Sequence, residues 1–101
     1  MAKTLQELTD EAMELRKKFE KIEKEACGRE WTNVELAAAF TADVGQLSKL
    51  IMLKEGLRKD KQVTDQQLEH ELADCLWCIL VFAKKYDVDL EKALTQMMEN
   101  E

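Results

Sequence analysis

The spacing of apolar positions along the chain predicts four helices and offers no convincing alternating strand. Between residues 5 and 26, Leu5, Leu8, Ala12, Leu15, Phe19 and Ile22 recur at threes and fours, which places them on one helix face. Thr4 precedes this segment as a cap, and Glu7, three residues on, completes a capping box. Arg16, Lys17, Lys18 and Lys21 fall late in the helix, the end that favours positive charge. C27-G28-R29 reads as its stop, with Gly28 free to take a positive φ.

A second helix is expected after Trp31, with Thr32 as cap and Glu35 as its reciprocal partner. Leu36, Phe40, Val44, Leu47 and Ile51 form its stripe, and Ala37, Ala38 and Ala39 thin an adjacent face for close approach. It ends near K54-E55-G56. Gly45 sits mid-helix at a cost of about 1 kcal/mol relative to alanine. Such a glycine implies close approach to its backbone, either by a packed neighbour or beside a ligand. The basic stretch L57-R58-K59-D60-K61-Q62-V63 reads as a connection.

A third helix begins after Thr64, which caps onto Gln67. Leu68, Leu72, Cys75, Leu76, Ile79, Leu80 and Ala83 give it a broad apolar face, widened by Trp77 and Val81, so it is expected to be the most buried of the set. Y86-D87-V88-D89 interrupts it. Asp89 then caps a short fourth helix through Leu90, Ala93, Leu94 and Met97, which must dock to be stable. The fold class that follows is all-α: a four-helix bundle with short links, antiparallel sequence neighbours and a single domain spanning 1–101.

Composition narrows the function. With 101 residues, no proline and three glycines, the chain suits one domain and leaves little room for a glycine-rich phosphate loop. A net charge of −6 opposes non-specific binding of long nucleic acids, though not of small nucleotides. No apolar run approaches the roughly 20 residues of a membrane span. The start, M1-A2-K3-T4 followed by L5-Q6-E7-L8, lacks a signal-peptide core, so a cytoplasmic location is expected. Three cysteines, Cys27, Cys75 and Cys78, make no disulfide framework. Cys75 and Cys78 form a C-x-x-C inside a helix without the further ligands zinc requires, and are expected to pack as small buried residues. A limited core and helices with a second apolar edge favour a symmetric oligomer.

The chemistry concentrates in two patterns. E71-L72-A73-D74 holds two carboxylates three apart on one face of the third helix, and D43-V44-G45-Q46 holds an acid and an amide at the same spacing on the second. Asp43 and Asp74 both sit among core positions, where an unpaired carboxylate is costly. Two arrangements remain open. The acids either line a solvated rim and pair with Lys49, Lys54 or the basic connection, or they point inward and share a divalent cation. Oxygen ligands from facing helices suit Mg²⁺, with Mn²⁺ as a substitute, its shell completed by water and phosphate. That would support metal-assisted phosphoanhydride hydrolysis. His70, the lone histidine, points roughly 100° away from Glu71 around the helix and is expected at the surface or an interface.

A42-D43-V44-G45-Q46-L47 and E71-L72-A73-D74-C75-L76-W77 together resemble the MazG-like members of the all-α nucleoside triphosphate pyrophosphohydrolases, across residues 31–94. That family's pattern is E-x-x-E followed by E-x-x-D. The resemblance implies Mg²⁺-dependent cleavage of a nucleoside triphosphate between the α and β phosphates, giving monophosphate and pyrophosphate. It also implies a homodimer or homotetramer (a dimer of dimers), with pockets that use more than one subunit. Carried over by position, Asp43, Gln46, Glu71 and Asp74 become the catalytic metal ligands, Gly45 and Trp77 also match, and 88–94 resembles the short last helix. Asp43 replaces a glutamate, and Gln46 replaces an acid with a neutral amide that ligates but is no base. The tail M97-M98-E99-N100-E101 lacks the basic residues relatives often carry. Phosphate contacts would then fall to Lys49 and Lys54, near the acidic face of the second helix, with Lys84 and Lys85 or the 58–61 connection as further sources. A non-catalytic nucleotide binder and a protein-interaction bundle are the rival functions.

Overall fold

The computed structural model describes residues 2–57 and 63–100. It contains α1 (Leu5–Cys27), α2 (Asn33–Lys54), α3 (Asp65–Lys85) and α4 (Leu90–Glu99), and no strand among the described residues. The fold is all-α, as periodicity predicts.

The helix ends form by local chemistry. At α1 the Thr4 hydroxyl accepts from the Glu7 amide and the Glu7 carboxylate accepts from the Thr4 amide. The same box closes α2 through Thr32 and Glu35. At α3, Gln67 donates its amide to the Thr64 hydroxyl at 3.1 Å, and the Thr64 amide donates back to the Gln67 side chain at 2.9 Å. Asp89 accepts from the Lys92 amide to start α4. Gly28 ends α1 at φ 81°, a left-handed conformation that a side chain would strain. Asp87 takes φ 54° in the link between α3 and α4.

The described residues fall into two compact units, Met1–Trp31 with Ile79–Glu101, and Thr32–Cys78. In the first, α1 packs with α4, and two ion pairs tie α1 to the end of α3: Lys84–Asp10 at 3.1 Å and Lys85–Glu20 at 3.3 Å. Arg16, 2% exposed, makes a two-pronged contact with Glu23 at 2.6 and 2.9 Å. Glu23 also accepts from the Trp31 amide, which fastens the chain leaving α1. The second unit pairs α2 with the first part of α3, whose Asp65 meets Lys54.

Burial departs from the sequence expectation on α1. The buried residues there are Thr9, Ala12 and Arg16. Leu8, Leu15, Phe19 and Ile22 are exposed by 38, 42, 42 and 58%. Arg16, read from the sequence only as one of the positive charges late in the helix, lies inside, where Glu20 and Glu23 face it. On α2, Leu36, Leu50 and Leu53 are buried while Val44 and Ile51 of the expected stripe are exposed. α3 supplies Cys75, Cys78, Leu80, Val81 and Ala83, the largest buried set of any helix among the described residues. Leu72, Leu76 and Ile79, however, stay exposed.

Two further expectations change. A Cβ built on Gly45 meets nothing within 4 Å, so no neighbour among the described residues approaches that backbone. By length and composition α2 is apolar enough to cross a membrane, with a mean hydropathy of 1.3. Alanines and branched aliphatics raise that average although no uninterrupted apolar run exists. Asp43 near its middle would cost about 2.5–3.5 kcal/mol at a bilayer centre, which argues against such a role.

Candidate functional site

Asp43 projects from α2, and Glu71 and Asp74 from the first half of α3, all within the second unit. All three are half-buried. The i,i+3 spacing that puts Glu71 and Asp74 on one face continues to Cys78, seven residues past Glu71. Cys78 in turn donates its thiol to Asp43 Oδ2 at 3.9 Å, which joins α3 to α2 beside the acids.

The electrostatics register this crowding. Glu71 Oε1 is shielded from solvent and has no hydrogen-bond partner among the described residues. Burial holds the Glu71 carboxyl above the usual carboxylate range, and the nearby Asp43 and Asp74 charges push it the same way, while His70 opposes them. The Cys75 thiol is raised by burial, then by Glu71, Asp43 and Asp74. The Cys78 thiol is pushed up to about 11 by burial and then by Asp43. One set of negative charges thus acts on several neighbours at once.

Of the lysine pairs that the solvated-rim arrangement calls for, those with the 58–61 connection lie outside the described residues. Among the described residues neither Asp43 nor Glu71 forms an ion pair with a lysine, and Lys54 is committed to Asp65. Asp74 meets His70 instead, Nε2 to Oδ2 at 3.2 Å, on the exposed side of α3. Their i,i+4 spacing was the available signal for this pair, which an eye on Glu71 alone passes over. His70 itself lies at the surface, as expected.

The other nominated residues are dispersed. Gln46, one turn beyond Asp43, is exposed. Lys49 is half-buried on α2. Lys84 belongs to the first unit, where it pairs with Asp10 and lines a pocket with Gln6, Thr9, Asp87 and Asp89. The 58–61 connection lies outside the described residues.

The carboxylate oxygens of Asp43, Glu71 and Asp74 are hard donors of the kind that suits Mg²⁺. Glu71 Oε1, buried and without a partner among the described residues, is an atom that a cation would satisfy. Among the described residues no three His, Cys, Asp or Glu side chains converge closely enough to enclose an ion. The fit is therefore to an ion bound through few protein oxygens, with water and phosphate supplying the rest, as Mg²⁺ commonly is.

The backbone bears a clear likeness to a solved structure. The chain superposes on the crystal structure described as the "putative pyrophosphatase YPJD from Bacillus subtilis" with a TM-score of 0.78. The likeness covers 99% of this chain and 96% of that one at 21% sequence identity, a level that establishes a shared fold. No family model matches the sequence, and no curated protein matches it.

Proposed function

We propose that this chain is a Mg²⁺-dependent nucleoside triphosphate pyrophosphohydrolase. It would convert a (d)NTP and water to (d)NMP and pyrophosphate: a water oxygen bonds to the α-phosphorus and the bridging α–β bond breaks. The reading is carried by the buried Glu71 oxygen, unpartnered among the described residues and set beside Asp43 and Asp74. The fold shared with a protein described as a pyrophosphatase supports it.

Asp43, Glu71 and Asp74 would hold the cation partly through its bound water, since no three of these side chains converge on one point among the described residues, and Gln46 would offer a neutral amide to that water. Mg²⁺, when bound, neutralises phosphate charge and increases the electrophilicity of the attacked phosphorus. One of the three acids orients the attacking water. Lys49 is the nominated lysine that shares a helix with Asp43 and has no ion pair among the described residues. Lys54 and Lys84 would first have to leave Asp65 and Asp10 to reach a phosphate.

The exposed apolar positions of α1 support a homodimer or homotetramer, since Leu8, Leu15, Phe19 and Ile22 follow one helical stripe. Sedimentation of the purified chain checks this directly.

Pyrophosphate release from a panel of dNTPs with and without Mg²⁺ tests the activity. Gln46→Glu restores the fourth acid and should raise both Mg²⁺ affinity and turnover. Should both proteins bind Mg²⁺ and nucleotide yet release no pyrophosphate, the fold serves nucleotide binding alone. The neutral, exposed Gln46 is the feature that favours that second reading.

A further inference from the structure

We propose that Cys78 is a positioning residue for Asp43: its thiol holds one carboxylate oxygen and leaves the other free for a cation. This inference rests on the metal reading of the acidic site.

The geometry supplies the argument. Cys78 is 7% exposed and its Sγ lies 3.9 Å from Asp43 Oδ2, within hydrogen-bond reach for sulfur. Among the described residues Asp43 forms no ion pair and takes no other donor. The carboxylate otherwise turns about two side-chain torsions, and each orientation presents a different oxygen to the neighbouring acids. A donor fixed to Oδ2 selects one orientation. A thiol suits this place because an ordinary cysteine is mostly protonated near neutral pH and so has a proton to give. A lysine or arginine there would donate more strongly, but its positive charge would compete with the cation for the same carboxylate. The thiol brings no charge.

Cys78 also lies on the α3 face that carries Glu71 and Asp74. A residue on the helix that supplies two of the acids therefore aligns the acid supplied by the other helix. Groups that hydrogen-bond a metal ligand commonly change metal affinity by about 10- to 100-fold when removed. A weak thiol donor belongs at the lower end.

The test uses the full chain and two readouts. In metal-free protein, the infrared S–H band that disappears in Cys78→Ala identifies this thiol. In Asp43→Ala that band should move to higher frequency, towards that of an unbonded thiol. A band that stays in place shows that the bond does not form and overturns the proposal.

Calorimetric titration with Mg²⁺ supplies the second readout. Cys78→Ala should weaken binding about tenfold, and Cys78→Ser, which keeps a donor, should recover much of the loss. Cys75→Ala, an equal truncation of a buried thiol on the same helix, should leave the affinity unchanged. Equal losses in the two alanine variants would mean a packing effect and overturn the proposal, as would an unchanged affinity in Cys78→Ala. If wild-type protein takes up no Mg²⁺, the metal reading falls first and takes this inference with it. If wild type binds and the Cys78 variants match it, only this inference falls.

Discussion

Glu71→Gln should stabilise the metal-free protein and remove its response to Mg²⁺. In the wild type, Oε1 of Glu71 is buried without a partner among the described residues while Asp43 and Asp74 repel the charge. Glutamine keeps the shape, removes the charge and turns an orphaned acceptor into a group able to donate to either acid. An unsatisfied buried polar group costs about 1–3 kcal/mol. Glu71 as a whole is only half-buried, so the lower end, about 1 kcal/mol, applies. For a domain of this size that corresponds to a rise in Tm of about 4–8 °C. The pH dependence has a definite sign. The folded-state pKa of Glu71 lies above its unfolded value, so the folded protein binds more protons through that interval. The stability Glu71 contributes is complete below its unfolded pKa and is lost as pH rises through the raised one. The advantage of Glu71→Gln over wild type should therefore be small in acid and grow across this window to a plateau. Mg²⁺ should reverse the order: at a hundredfold excess over Kd, binding stabilises wild type by about 2.7 kcal/mol, and the variant gains much less. Urea unfolding followed by circular dichroism, at several pH values with and without Mg²⁺, measures all of this. A variant less stable than wild type without metal at neutral pH would refute the reasoning, because it would mean that the Glu71 charge is compensated.

Arg16→Ala should cost about 3 kcal/mol, the lower end for breaking a buried ion pair, because Glu20 keeps Lys85 and Glu23 keeps the Trp31 amide. Urea unfolding checks it, and a loss below about 1 kcal/mol would mean that the Arg16–Glu23 contact behaves as a surface pair. Gly45→Ala should stabilise the free chain by about 1 kcal/mol, since the added methyl meets open space in a helix interior. Destabilisation measured by thermal unfolding at low protein concentration would show that the position is crowded. If Gly45→Ala is stable but loses nucleotide affinity, the open space belongs to the ligand.

The capping residues were legible because capping is local. Thr4 with Glu7, Thr32 with Glu35, and Thr64 with Gln67 each satisfy end amides within three residues, and no distant contact can redirect them. Periodicity likewise marks the apolar stripe of α1 correctly as apolar. It does not say what covers that stripe: of its members only Ala12 is buried, together with Thr9 and Arg16 beside it. That burial was illegible because it depends on an ion-pair network, with Glu23 and Lys85 as members, whose parts are far apart in sequence. The same division runs through the acidic site. The i,i+3 pairs on α2 and α3 could be read from spacing alone. The Cys78–Asp43 contact spans 35 residues and joins two residue types whose default readings, packing and solvation, give no hint of one another. Local rules therefore identify groups with unmet needs, and tertiary structure decides which needs the chain meets itself. It meets those of Asp43 through Cys78 and those of Arg16 in part through Glu23, leaving Arg16 Nε without a hydrogen-bond partner among the described residues. Among the described residues it leaves the oxygen of Glu71 unmatched, and the apolar stripe of α1 remains exposed. These two features call for different partners, a cation for the first and an apolar surface for the second, so Mg²⁺ titration and sedimentation test them independently.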